Sequence, residues 1–214
     1  MKSLSPSKPL IIMVVGVPGA GKSFFARQFA KVFNAPLVSF DEVRHILFND
    51  PEFSKDEETI TAKVMRTQIT QLIKTESTFI VDGGVNTRMA RHALERLGKE
   101  HDYGFLTVWV QTDNDTAEYR STNRSKRRAG DLYNTSMSEE VYARHAQRIN
   151  PPDARELHVV ISGKHTFAAQ AKTVLRKLVA PRQPEHVAAP TPRSTTASGR
   201  SGRSTRPSRG TVSS

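Results

Sequence analysis

Apolar residues run unbroken from Leu10 to Val15 and stop at Gly16. A strand with one wet face alternates apolar and polar side chains, so this run predicts a strand covered on both faces. Residues 16–21 read as a turn and 22–32 as a helix. Shorter apolar runs predict strands at 37–40, 79–81, 105–110 and 157–161. Between them, helical spacing marks 42–48, 57–74, 88–99, 116–128, 138–148 and 166–178. The helix at 57–74 carries apolar positions at Ile60, Val64, Ile69, Leu72 and Ile73. Asn150-Pro151-Pro152 breaks the chain before the last strand. Strands that alternate with helices imply an α/β fold, a parallel sheet with helices on both faces.

The pattern divides the 214 residues into three parts. Residues 1–8 form a loose leader and 9–180 one domain. From Pro181 onward the chain is Pro, Ser, Thr, Gly and Arg with few apolar residues. Such a segment buries too little to offset its ordering entropy, so 181–214 is expected to be disordered. A domain of about 150 residues buries roughly 70% of its unfolded surface, which is enough for a real core.

Charge adds one feature. The net charge is +11, and residues 181–214 contribute six arginines against one glutamate. A basic domain suits an anionic substrate, and a basic tail can touch nucleic acid without sequence preference, or either can serve solubility alone. There is no cysteine, which excludes disulfides, zinc thiolates and a cysteine nucleophile. No apolar run approaches the roughly 20 residues of a membrane helix. Residues 10–17 are strand-length, follow Pro9 and lead into a glycine turn, so they read as a buried strand rather than a signal peptide, and the protein as cytoplasmic.

The chemistry begins in that turn. Gly16-Val17-Pro18-Gly19-Ala20-Gly21-Lys22-Ser23 meets the pattern G-x-x-x-x-G-K-[ST]. Its glycines let successive backbone N–H groups point at phosphate oxygens, and the following helix presents its positive end. Lys22 is placed for the β- and γ-phosphates and the Ser23 hydroxyl for Mg²⁺. Chance produces the pattern roughly once in a hundred chains of this length. Here it also follows a strand and opens a helix, so a nucleoside triphosphate site is the expectation. No Asn-Lys-x-Asp element follows, which favours ATP over GTP.

Asp41 lies just past the second strand, at the carboxyl edge where open α/β sheets bind ligands. It is either a general base for an acceptor hydroxyl or a cap for the helix after it. Arg44, one turn on, is placed to hold an anionic acceptor. Asp82 ends the third strand, where it either helps to hold Mg²⁺ or merely starts a turn. Gly83 stands where an ATP-hydrolysing motor commonly carries glutamate, which favours transfer over hydrolysis. Arg120, Arg124 and Arg127 recur on one helical face, with Arg128 beside them. They form either a lid over the transferring phosphate or a solvated basic surface. The seven histidines show no metal-ligand spacing and read as surface or core residues. Trp109 reads as core.

These pieces, in this order, resemble the AAA-domain-containing P-loop kinases related to the polynucleotide kinase 5′-phosphoryl-transfer domain, zeta toxin and gluconate kinase. The resemblance covers about residues 9–180. It rests on residues 16–23, then Asp41 and Arg44, residues 79–82 with Asn86 and Arg91, the arginine helix, and Asn150-Pro151-Pro152. It implies a five-stranded sheet of order 2-3-1-4-5 with an arginine-bearing lid, and a kinase using ATP and Mg²⁺. It implies Asp41 as base, Arg44, Asn86 and Arg91 as acceptor contacts, Arg120 and Arg124 on the nucleotide, and Arg124 as the lid arginine. It leaves the acceptor open, a small alcohol or a nucleic-acid 5′ end. Two places depart from the pattern. Gly83-Gly84 replaces residues such as Ala-Thr, and Ile161-Ser162-Gly163 lacks a terminal aspartate. A nucleotide-binding protein anchored to RNA or DNA by its basic tail is the competing function, and oligomeric state is not readable.

Overall fold

In a computed structural model, residues 7–124, 133 and 135–179 are described. The expected leader (largely), lid residues Arg127 and Arg128, and the 181–214 tail lie outside them. Five strands form one parallel sheet: β1 (Leu10–Val15), β2 (Leu37–Ser39), β3 (Phe79–Asp82), β4 (Gly104–Gln111) and β5 (His158–Ser162). Their spatial order is β2-β3-β1-β4-β5, as the resemblance implied.

Every residue of β1 is buried, because it is central and both its faces are covered. Leu10, Ile12 and Val14 meet Phe25 and Phe29 of α1 (Lys22–Phe33) and Val174 of α7 (Phe167–Val179). Ile11, Met13 and Val15 face the other way, toward Met65, Ile69 and Ile73 of α3 (Lys55–Ile73) and Leu94 of α4 (Arg88–Lys99). The period-2 alternation of a strand thus feeds two separate cores. Trp109 is only partly buried and packs on the second core.

Three short helices complete the described part of the fold: α2 (Phe40–Leu47), α5 (Asn114–Thr122) and α6 (Glu139–Gln147). Two sequence boundaries are corrected. Phe40 opens α2 instead of ending β2. The basic helix expected over 116–128 runs from Asn114 to Thr122, starting at the Asp113 cap, whose side chain accepts from Thr116 N. Arg124 therefore follows the helix and does not continue its face. Among the described residues, no helix is long and apolar enough to cross a membrane.

The chain order reverses beside β1: β3 and β2 lie on one side, β4 and β5 on the other. Such a switch point opens a crevice at the carboxyl ends of the strands. Val14 is in register with Asp82, and Ser39 with Asp82, so the residues after β1, β2 and β3 come together there.

Candidate functional site

A cleft of about 990 Å³ occupies this crevice. That is the size of a nucleotide-class pocket. Its floor is the phosphate loop. Gly16, Gly19 and Gly21 take positive φ, and Gly21 precedes α1 without a side-chain cap. The first N–H groups of α1 are thereby left to a ligand. Pro18, Gly19, Gly21, Lys22 and Ser23 line the cleft, while Ala20 is buried beneath them. Val17 packs against the core, and the Lys22 ammonium donates to its carbonyl at 2.9 Å.

Asp82 is 2% exposed, and its Oδ1 has no hydrogen-bond partner among the described residues. The Ser23 side chain lies close enough to lower the Asp82 pKa, which places the carboxylate beside the loop. Burial pushes the Asp82 carboxyl up and the Lys22 ammonium down, and each opposes the other's shift through its charge. Such a pair is short of solvent. An orphaned buried carboxylate oxygen next to a hydroxyl fits a hard cation with oxygen ligands. Among the described residues, no group of three or more His, Asp or Glu forms a protein-only metal cage.

Asp41 lies in the first turn of α2, and the cap position belongs to Ser39. The capping alternative is thereby excluded. The Asp41 side chain is 42% exposed, lines the cleft, and is close enough for its charge to raise the Lys22 pKa. His45 fixes the turn: its Nδ1–H donates to the Asp41 carbonyl at 3.0 Å, which leaves Nε2 to accept from the Thr135 hydroxyl at 2.9 Å.

Arg44 also lines the cleft but is 3% exposed. Its guanidinium lies 4.9 Å from the Phe40 ring centre and 4.8 Å from that of Phe53, with Asp41 Oδ1 3.6 Å from Nη1. Arg120 and Arg124 line the opposite side, and Arg120 Nη1 donates to the Gly163 carbonyl at 3.4 Å. The Arg124 charge reaches Lys22 and lowers its pKa.

Asn86 lines the cleft, and its Oδ1 accepts from Gly16 N at 3.2 Å. Its side-chain oxygen is therefore committed to the phosphate loop. Arg91 is a correction. It is fully buried and paired with Glu156 through Nε–Oε2 at 2.5 Å and Nη2–Oε1 at 2.9 Å. Further donations go to the carbonyls of Val85, Asn86 and Pro151. With its donors spent inside the protein, Arg91 braces the loop after β3 and has no surface for an acceptor. Burial alone would raise the Glu156 carboxyl, but Arg91 outweighs it and holds it below the usual range.

The two departures from the kinase pattern have physical causes here. Gly84 has φ 70, and a Cβ there would lie 2.9 Å from the Phe40 ring, so the glycine lets Phe40 cover the cleft wall. At Gly163 a Cβ would stand 1.8 Å from the Ala20 carbonyl oxygen, so the loop after β5 presses on the phosphate loop.

Several cleft residues escaped the sequence reading: Phe40, Phe53, Glu58, Tyr119, His145 and Arg148. His145 was read as surface or core. No short motif contains these residues. The only sequence signal was helical spacing, which puts His145 and Arg148 on one face.

A protein family described as AAA domain matches residues 11–152. No curated protein sequence matches the chain. Among solved structures, a sugar kinase from a Janibacter species aligns at TM-score 0.61 and 11% identity, covering 79% of this chain and 94% of that one. An APS kinase from Mycobacterium tuberculosis, solved with AMPPNP and APS, aligns at 0.58 and 18%, covering 82% and 100%. A gluconokinase from Sinorhizobium meliloti aligns at 0.55 and 15%, covering 80% and 91%. At these identities the likeness is one of fold.

Proposed function

This chain belongs to the AAA-domain family, and on that premise we propose that it is a kinase that moves the γ-phosphoryl group of ATP to an alcohol. One observation carries the reading. A single cleft is lined by Lys22 and Ser23 of a phosphate site, with Asp82 buried close to both, and by a partly exposed carboxylate, Asp41, on a different element. Hydrolysis alone has no use for the part of this cleft lined by Phe40, Arg44 and Phe53. The kinases that share the fold, one of them solved with an ATP analogue, support the same reading.

In this mechanism the loop amides and Lys22 hold the β- and γ-phosphates. Arg120 and Arg124 close from the α5 side and stabilise charge on the transferring group. Ser23 and Asp82 would hold Mg²⁺, which would neutralise phosphate charge when bound. Asp41 orients the acceptor hydroxyl and takes its proton as the hydroxyl oxygen bonds to the γ-phosphorus. The bond from that phosphorus to the bridging oxygen breaks, ADP leaves with the electron pair, and Asp41 passes the proton to solvent.

The test is γ-labelled ATP and Mg²⁺ with a panel of sugars, sugar acids, phosphorylated sugars and 5′-hydroxyl RNA and DNA. Wild type should label an alcohol. Asp41→Asn should bind ATP normally but transfer roughly a hundredfold more slowly or worse. Normal ATP binding with label released only to water would defeat the kinase reading.

A further inference from the structure

On the acceptor side of the cleft, α6 faces α2 and α3 across a wall that the phosphate chemistry does not use. Arg148 Nη1 donates to Glu58 Oε2 at 2.9 Å, and His145 Nε2 lies 3.6 Å from Glu58 Oε1. That second separation is too long for a hydrogen bond. His145 Nε2 has no hydrogen-bond partner among the described residues, and neither does Arg44 Nε. The His145 ring meets Phe53 edge-on at 6.2 Å, and the Arg44 guanidinium lies 4.8 Å from the centre of the same ring.

Phe53 is held there firmly. Its φ is 58, a region that a bulky residue adopts rarely and at a cost. Three hydrogen bonds fix the turn around it. The carboxylate of Glu57 accepts from Glu52 N at 2.9 Å and Phe53 N at 2.8 Å, and Arg144 Nη2 donates to Phe53 O at 3.0 Å. The fold thus constrains the chain to put an aromatic ring against a desolvated cation.

Arg148 is paired with Glu58, while Arg44 has only Asp41 at 3.6 Å. A guanidinium as buried as Arg44, with one carboxylate at 3.6 Å and an unused Nε–H, is costly without a further anion.

We propose that Arg44, Phe53, His145 and Arg148 form an anion subsite that holds one phosphate, sulfate or carboxylate group of the acceptor, away from the hydroxyl that is phosphorylated. The acceptor is then a small anionic alcohol. One desolvated guanidinium with one unused N–H matches one anionic group, whereas a polynucleotide presents a row of phosphates. This rests on the kinase reading and narrows it: Asp41 takes the hydroxyl end, and the α6 side takes the anionic end.

Two measurements decide it. The full-length protein is filled with Mg²⁺ and AMPPNP, which occupies the phosphate loop, and inorganic phosphate is titrated in by calorimetry. One further phosphate should bind, and Arg148→Gln and His145→Gln should each weaken it roughly tenfold or more while AMPPNP affinity stays unchanged. No binding, or binding indifferent to both substitutions, overturns the subsite. The second measurement compares kcat/KM for paired alcohols, ribose with ribose 5-phosphate and glycerol with glycerol phosphate or glycerate. The charged members should lead by roughly tenfold or more, and Arg148→Gln should erase the lead. Equal use of both members, or preference for a 5′-hydroxyl oligonucleotide, overturns the acceptor class. Transfer to no alcohol at all defeats the kinase reading instead, and the phosphate titration still judges the subsite.

Discussion

The side-chain oxygen of Asn86 accepts a hydrogen bond from the backbone amide of Gly16 at 3.2 Å, joining the loop after β3 to the first residue of the phosphate loop. The two are 70 residues apart in the chain. Removing the acceptor leaves a partly buried N–H unpaired, which costs about 1–3 kcal/mol. Asn86→Ala should lower stability by that amount in urea unfolding. It should also weaken ATP binding, because the loop's entry is no longer held.

Arg91→Ala should be more damaging than any substitution of an exposed arginine. It strands Glu156, whose side chain is 1% exposed, without its partner. Breaking a buried pair this way costs about 3–5 kcal/mol. The double variant Arg91→Met with Glu156→Leu should recover much of that loss. Recovery seen by thermal unfolding would identify Arg91 as a brace rather than an acceptor contact.

Gly163→Val should impair nucleotide binding from the loop after β5, whose carbonyl at this position also accepts from Arg120. Its Cβ would overlap the Ala20 carbonyl, and backbone cannot rotate away as a side chain can. Overpacking of this kind costs about 1–3 kcal/mol. Most of the effect should appear as a raised dissociation constant for the ATP analogue, since the displaced residue lies within the phosphate loop.

His145 gives the protein a pH dependence of defined sign. Burial, then the neighbouring Arg44, Arg144 and Arg148, lower its pKa, against the opposing pull of Glu58. Its folded pKa therefore lies below its unfolded value of about 6.5. The unfolded state takes up the proton first, so stability falls as pH drops below about 6.5 and stops falling once pH passes the folded pKa. His145→Gln should flatten the Tm–pH curve in that window. If the wild-type and variant curves stay parallel there, the ring is not desolvated in solution.

Deleting residues 181–214 removes six arginines. If the tail anchors the protein to nucleic acid, affinity for a random RNA should drop and its salt dependence should become shallower. Unchanged filter binding across a salt series would remove that role.

The sequence by itself determined the order of strands and helices, the phosphate loop, and the acidic positions after β2 and β3. These are local matters. The run Leu10–Val15 can only be a doubly covered strand, and residues 16–23 carry their chemistry in consecutive backbone groups. The helix at 88–99 was bounded correctly, with a Thr87 cap before it. The tertiary structure decided what depends on distant partners. The resemblance implies Arg91 as an acceptor contact, but Glu156, 65 residues on, pairs with it inside the protein. Arg44 gained its desolvated setting from Phe53, and the cleft gained His145 and Arg148 from α6. Burial and charge balance are properties of a neighbourhood, and chain positions far apart enter that neighbourhood only when the sheet assembles.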